Sequence, residues 1–131
     1  MKKMITHVIY ITISLFNLSC SSPIKPLSIG YWNVENLFDI FDDPTKNDEE
    51  FSIGGRKNVT QEIYDLKIKQ SAEVLTDLNV DVLGLSEVEN AIVLEDLNFA
   101  YKERNYKIIH FDSPDERGID NALLYDPNYF K

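Results

Sequence analysis

Between residues 60 and 80 the apolar positions recur every three or four residues. Tyr64, Ile68, Ala72, Leu75 and Leu78 fall at spacings of four, four, three and three, which puts them on one face of a helix. Asn58 or Thr60 can cap its start, and Asp65 with Lys69 forms a favourable pair one turn apart. On either side the pattern changes to that of strands. "LSIGYWNV" before it is rich in β-branched and aromatic residues. "VDVLGLSEV" after it is a near-continuous apolar run, as expected of a strand covered on both faces. Helical spacing returns from about Ala91 to Arg104, with Leu94, Leu97 and Tyr101 inward. "YKIIHF" and "DNALLY" are two more strands, joined by the polar "DSPDERGI" as a hairpin with a longer loop. The predicted order is strand, helix, strand, helix, strand, strand, an α/β arrangement without internal repeats.

Between the first strand and the first helix lies "DIFDDPTKNDEEFSIGGRKN", with Pro44 and the Gly54–Gly55 pair. A polar connection this long is uncommon unless it is functional, and it is expected to be a mobile loop at the rim of a site.

The start of the chain follows a different rule. "MKKMITHVIYITISLFNLSC" has Lys2 and Lys3, then an apolar run from Ile5 to Leu18, then Ser19 and Cys20. It reads as a secretory signal, too short and too soon interrupted to span a membrane. A buried N-terminal strand is the alternative. Cys20 is the sole cysteine, so there is no disulfide framework. Its place resembles the lipidation site of bacterial lipoproteins, although Asn17 stands where that box has an aliphatic residue. The expected division is a lipoprotein signal at 1–20, a tether at 21–27 and one domain at 28–131. The expected location is an envelope membrane through a lipid on Cys20, or free secretion if cleavage falls nearby.

Charge narrows the partners. Losing residues 1–20 removes Lys2 and Lys3 and no acid, so 11 basic and 22 acidic residues remain and the net charge goes from −9 to −11. Such a surface repels nucleic acid unless metal ions or a basic patch intervene, and no basic stripe is present. No protein partner is implied.

The candidate chemistry lies at the strand ends. Side chains alternate along a strand, so Asn33 and Glu35 should share one face and Glu87 and Glu89 another. If the two strands neighbour each other through the connecting helix, their ends meet on one rim. Converging carboxylates need a cation or proton between them. An oxygen-only set suits Mg²⁺ or another hard cation such as Ca²⁺ or Mn²⁺ rather than Zn²⁺. Glu87 follows "VLGLS" directly, where an unpaired charge would be costly. Asn33 could instead serve a turn, and Glu35 could be merely solvated.

Three motifs in order, "YWNVENLFD", "DVLGLSEVEN" and "DERGIDNALLYDP", resemble the N-terminal half of the endonuclease/exonuclease/phosphatase superfamily. The resemblance implies half of a two-sheet α/β sandwich flanked by helices, and metal-dependent phosphoester hydrolysis. It puts Asn33 at phosphate and metal, Glu87 on the metal, Glu35 where some relatives have an Asp near it, and Arg117 on a substrate phosphate. A planar guanidinium can grip two phosphate oxygens, but Arg117 could equally pair with Asp115 or Glu116. Glu89 stands where the deoxyribonucleases have an arginine. The substrate would be nucleic acid, a small phosphodiester or a phospholipid headgroup.

The family's catalytic His–Asp pair and Asp-x-Asn stretch come from its second half, and neither is here. The histidines are His7 and His110; a lone His in a strand is more often a core or edge residue. Asp120 reads as the partner of a turn. The expectation is an incomplete and inactive fragment of a hydrolase. The alternative is a non-catalytic surface lipoprotein acting as a binding or scaffold module.

Overall fold

The computed structural model describes residues 25–130. The signal, Cys20 and most of the tether lie outside the described residues. Among the described residues no helix is long and apolar enough to cross a membrane.

The elements run β1 (Ile29–Leu37), α1 (Gln61–Leu78), β2 (Val82–Val88), α2 (Ala91–Ala100), β3 (Lys107–Phe111) and β4 (Asp120–Tyr125). The strands form one mixed sheet in the order β1-β2-β4-β3. β1 and β2 are parallel, as the α1 crossover requires, and the other pairs are antiparallel.

α1 starts where Thr60 accepts a hydrogen bond from Ile63 N and stops at Asn79, which is left-handed and donates its backbone N–H to Leu75 O. Its inward face is Tyr64, Ile68, Ala72 and Leu75; Leu78, predicted inward, is 38% exposed because the helix ends beneath it. α2 is capped by Asn90, whose Oδ1 accepts from Ile92 N and Val93 N. It ends at Ala100, short of the expected Arg104, since Tyr101 is extended. Both helices cover one side of the sheet. Leu83, Leu85, Leu94, Leu97 and Leu124 are fully buried there, and each contributes roughly 2 kcal/mol of water-excluded surface.

The other side of the sheet is open, which corrects the expectation that β2 is covered on both faces. The strand registers lay three rows across it: Ile29–Val82–Tyr125–Lys107, then Tyr31–Gly84–Leu123–Ile109, then Asn33–Ser86–Asn121–Phe111. Apolar side chains occupy most of the first two rows, and polar ones take over in the third. Tyr31 lies across Gly84, where an added Cβ would come within 3.3 Å of its ring. Its hydroxyl is 2.7 Å from Ser86 Oγ.

The long connection is folded back on itself rather than open. Phe38 and Phe51 stack at 4.0 Å, Ile53 N donates to Ile40 O, and Asp48 is 2% exposed and accepts from Asp43 N.

Candidate functional site

The sheet has two chemically different ends. At the start of β2, Asp81 is 1% exposed. One of its oxygens accepts from Ser28 N and Ser28 Oγ at 2.9 and 2.7 Å. The other faces Arg104 Nη1 at 2.5 Å, which also reaches Asp126 at 3.2 Å. The Ser28 hydroxyl and then Arg104 hold the Asp81 carboxyl well below the usual carboxylate range.

At the opposite end the pairing breaks. Asn33 pairs with Ser86, and the next matched pair is Leu37 with Val88. Val34, Glu35 and Asn36 therefore stand against Glu87 alone. On its other edge β2 goes from Ser86↔Asn121 to Val88↔Asp120, which leaves Glu87 unopposed again. Glu35, Asn36 and Glu87 all have positive φ, at 55°, 61° and 62°. For non-glycine residues each costs on the order of 1 kcal/mol. A bulge of this kind redirects a side chain. It breaks the expected alternation and turns Glu87 back toward the open face, where Asn33 Nδ2 donates to Glu87 Oε1 at 2.9 Å.

The amide of Asn33 is oriented from both sides. Glu35 N donates to Asn33 Oδ1 at 2.7 Å. A backbone N–H can only donate, so the amide nitrogen must face Glu87. Asn33 thus aligns the Glu87 carboxylate. Glu35 contributes its backbone: its N–H holds Asn33, and its carbonyl accepts from Lys67 Nζ at 3.3 Å. Its carboxylate takes no hydrogen bond among the described residues.

Glu89, expected beside Glu87, turns elsewhere. It accepts from Asp39 N at 2.6 Å. Burial pushes its carboxyl up to about 7, and the charges of Asp39, Asp48 and Asp43 add to that, against the lowering by the Asp39 hydrogen bond.

Arg117 stands in the β3–β4 hairpin and is exposed. Its Nε and Nη2 donate to the two oxygens of Asp115, at 3.1 and 3.0 Å. The Asp115 carboxylate, with a weaker contribution from the charge of Glu87, raises the Arg117 pKa above its ordinary value. His110 is more than a plain strand residue: its Nε2 lies 2.8 Å from Asp120 Oδ2. Asp120 also has the turn role expected of it, accepting from Ser113 N at 2.6 Å. The signal for the pair lay in the hairpin register, which composition does not reveal.

The match to the Endonuclease/Exonuclease/phosphatase family runs over residues 28–131, and the chain belongs to that family. No curated protein and no solved structure matches it. The three activities in the family's name all act on phosphoester bonds.

Proposed function

We propose that the Asn33–Glu87 corner is the metal-holding part of a phosphoester hydrolase site. The observation that carries this reading is the double loss of register at Glu87, with the carboxylate aligned by Asn33 at 2.9 Å. Strain of that sort persists where it serves a site. The donor set fits a hard divalent cation, Mg²⁺ or a relative such as Ca²⁺ or Mn²⁺, because its atoms are carboxylate oxygens. The resemblance to that family implies such an ion. Glu87 would hold it, with Glu35 as an adjacent negative charge. When bound, it supplies polarisation of a phosphoryl oxygen and stabilises charge on the leaving oxygen.

The chain's own residues do the rest of what this half can do. Asn33 keeps Glu87 aimed and offers an N–H to a phosphate oxygen. Arg117 presents its guanidinium to the substrate phosphate by exchanging Asp115 for it, a swap of one anionic partner for another. Activation of water needs a base that Asn33, Glu87 and Arg117 do not supply; the resemblance implies that a His-bearing second half with an Asp-x-Asn stretch would supply it. The acidic surface favours a small phosphodiester or a headgroup over long nucleic acid.

The test is hydrolysis of a bis-aryl phosphodiester across a Mg²⁺ titration, in the chain extended along its gene into that second half. Glu87→Gln should lower activity by roughly two to three orders of magnitude, and added Mg²⁺ should recover part of the loss. Full activity at limiting Mg²⁺ would show that the corner is not the metal site. An extension that holds no histidine would favour the scaffold role instead.

Export and anchoring are a second part of the proposal, motivated by residues 1–20. Labelled palmitate should enter the wild-type protein and be absent from Cys20→Ala. Equal labelling of both would remove the lipid anchor, leaving secretion.

A further inference from the structure

The β3–β4 hairpin brings together three side chains that the phosphoester reading does not use. His110 lies in β3 and Asp112 one residue past its end, two positions apart, so near-extended backbone puts them on one face. Asp120 stands opposite Asp112, one step beyond the last matched pair, Phe111 and Asn121. Cross-strand neighbours on one face lie close enough to touch. One donor atom from each of the three lies within 4.8 Å of the others, the one such trio among the described residues. His110 pairs with Ala122, which is buried under the helices. The trio is therefore on the helix side of the sheet, whereas Asn33 and its row are on the open side.

We propose that His110, Asp112 and Asp120 form a second cation site, selective for a transition metal such as Mn²⁺ or Zn²⁺. Four observations favour it. First, the side chains are pre-positioned: Ser113 N donates to Asp120 Oδ1 and leaves Oδ2 facing the imidazole. Second, the imidazole nitrogen and that oxygen are 2.8 Å apart. Two donors each about 2 Å from one ion and at right angles are separated by roughly 3 Å, so little movement is needed. Third, two carboxylates and one neutral imidazole balance a divalent charge, whereas a single imidazolium leaves them one charge short. Fourth, the mixed donors select the ion: an imidazole nitrogen suits Zn²⁺ or Fe²⁺, Mg²⁺ and Ca²⁺ prefer oxygen alone, and Mn²⁺, held chiefly by the two carboxylates, serves as the paramagnetic probe.

Access is on the Asp112 side, since Asp112 is exposed while the His110 and Asp120 side chains are only 11% and 3% exposed. The ion would take the place of the hydrogen bond between His110 Nε2 and Asp120 Oδ2. It would clamp the base of the hairpin whose tip carries Asp115 and Arg117. The backbone there already turns tightly, with Gly118 at φ 77° packed against Lys46.

The test is calorimetric titration of the full chain with MnCl₂ and with ZnCl₂, in a mild detergent that covers the open sheet face. Pulsed electron resonance of the Mn²⁺ form gives a second readout. One equivalent, separate from any ion held at Glu87, should bind in wild type and in Glu87→Gln alike. Asp112→Asn, an exposed change that leaves the core intact, should weaken it at least tenfold. His110→Gln should abolish it, together with the nitrogen coupling on Mn²⁺. The proposal is overturned if neither ion binds, if no nitrogen coupling appears, or if Asp112→Asn and His110→Gln titrate like wild type. Loss of binding in Glu87→Gln alone would overturn it as well. The readout is independent of hydrolysis, so its failure leaves the Glu87 reading standing.

Discussion

Asp81 immediately precedes β2 and Glu87 lies near its close, six positions further along the chain. Asp81 is buried, ion-paired and hydrogen-bonded through both oxygens. Glu87 is half-buried, sits in a strained conformation and, among the described residues, has one side-chain hydrogen-bond partner, Asn33. Both are carboxylates beside a core, so burial alone does not distinguish them. What distinguishes them is whether the fold satisfies the charge. A carboxylate whose oxygens are all engaged ties elements together. One that is aimed but left with a free oxygen can take a ligand.

The sharpest way to break that contrast is to exchange the effects. Asp81→Asn should lower Tm by roughly 10 °C or more, because it leaves Arg104 half-buried without its main partner. Glu87→Gln should leave Tm within about 3 °C of wild type while removing most activity from the extended enzyme. Thermal melts followed by circular dichroism, run beside the hydrolysis assay, decide it. If Glu87→Gln unfolds the chain, or Asp81→Asn is thermally silent, the division between a stability end and a functional end fails.

A smaller effect is expected at Glu35. Its backbone contacts survive Glu35→Gln, so only the adjacent charge is lost. A drop of less than about tenfold in activity follows, largest at low Mg²⁺. A loss equal to that of Glu87→Gln would make Glu35 a direct ligand.

The smallest effect sharpens the comparison through pH. The Glu89 carboxyl lies at about 7, above its ordinary 4.5. The folded chain therefore holds that proton more tightly than the unfolded chain does. This favourable contribution is full below about 4.5 and is lost as pH rises toward about 7. Solvent reaches part of the side chain and reduces the effect. Glu89→Gln should raise Tm by a few degrees at pH 8 and bring no gain at pH 4. Equal shifts at both pH values would point to packing rather than charge.

Much of this architecture was legible in the chain itself. The three-and-four spacing marked α1, and the short apolar runs marked all four strands, with "DNALLY" matching β4 residue for residue. Local propensity and burial act together there, so the pattern is strong. Asn33 and Glu87 were legible as a pair because both follow strand patterns. The bulge was not. Alternation assumes an unbroken ladder, and positive φ at Glu35, Asn36 and Glu87 has no mark in residue type beyond the single Asn. Glu89 was misplaced for the same reason. The early end of α2 was also hidden, since Arg104 leaves the helix to reach Asp81, a contact made only in the folded chain. The His110–Asp120 pair depends on hairpin register across a loop whose length does not dictate it.

The parallel pairing of β1 with β2 has a kinetic consequence. Ser28 and Asp81 meet across 53 positions of chain, and β1 cannot dock until α1 has crossed between them. The β3–β4 hairpin closes over a short polar loop and needs no such search. Long-range pairings form slowly because chain entropy is lost before contacts compensate. The hairpin and the helix-bearing face should therefore assemble first. The Asn33–Glu87 corner needs β1 and β2 seated in register, so it is completed among the last steps of folding.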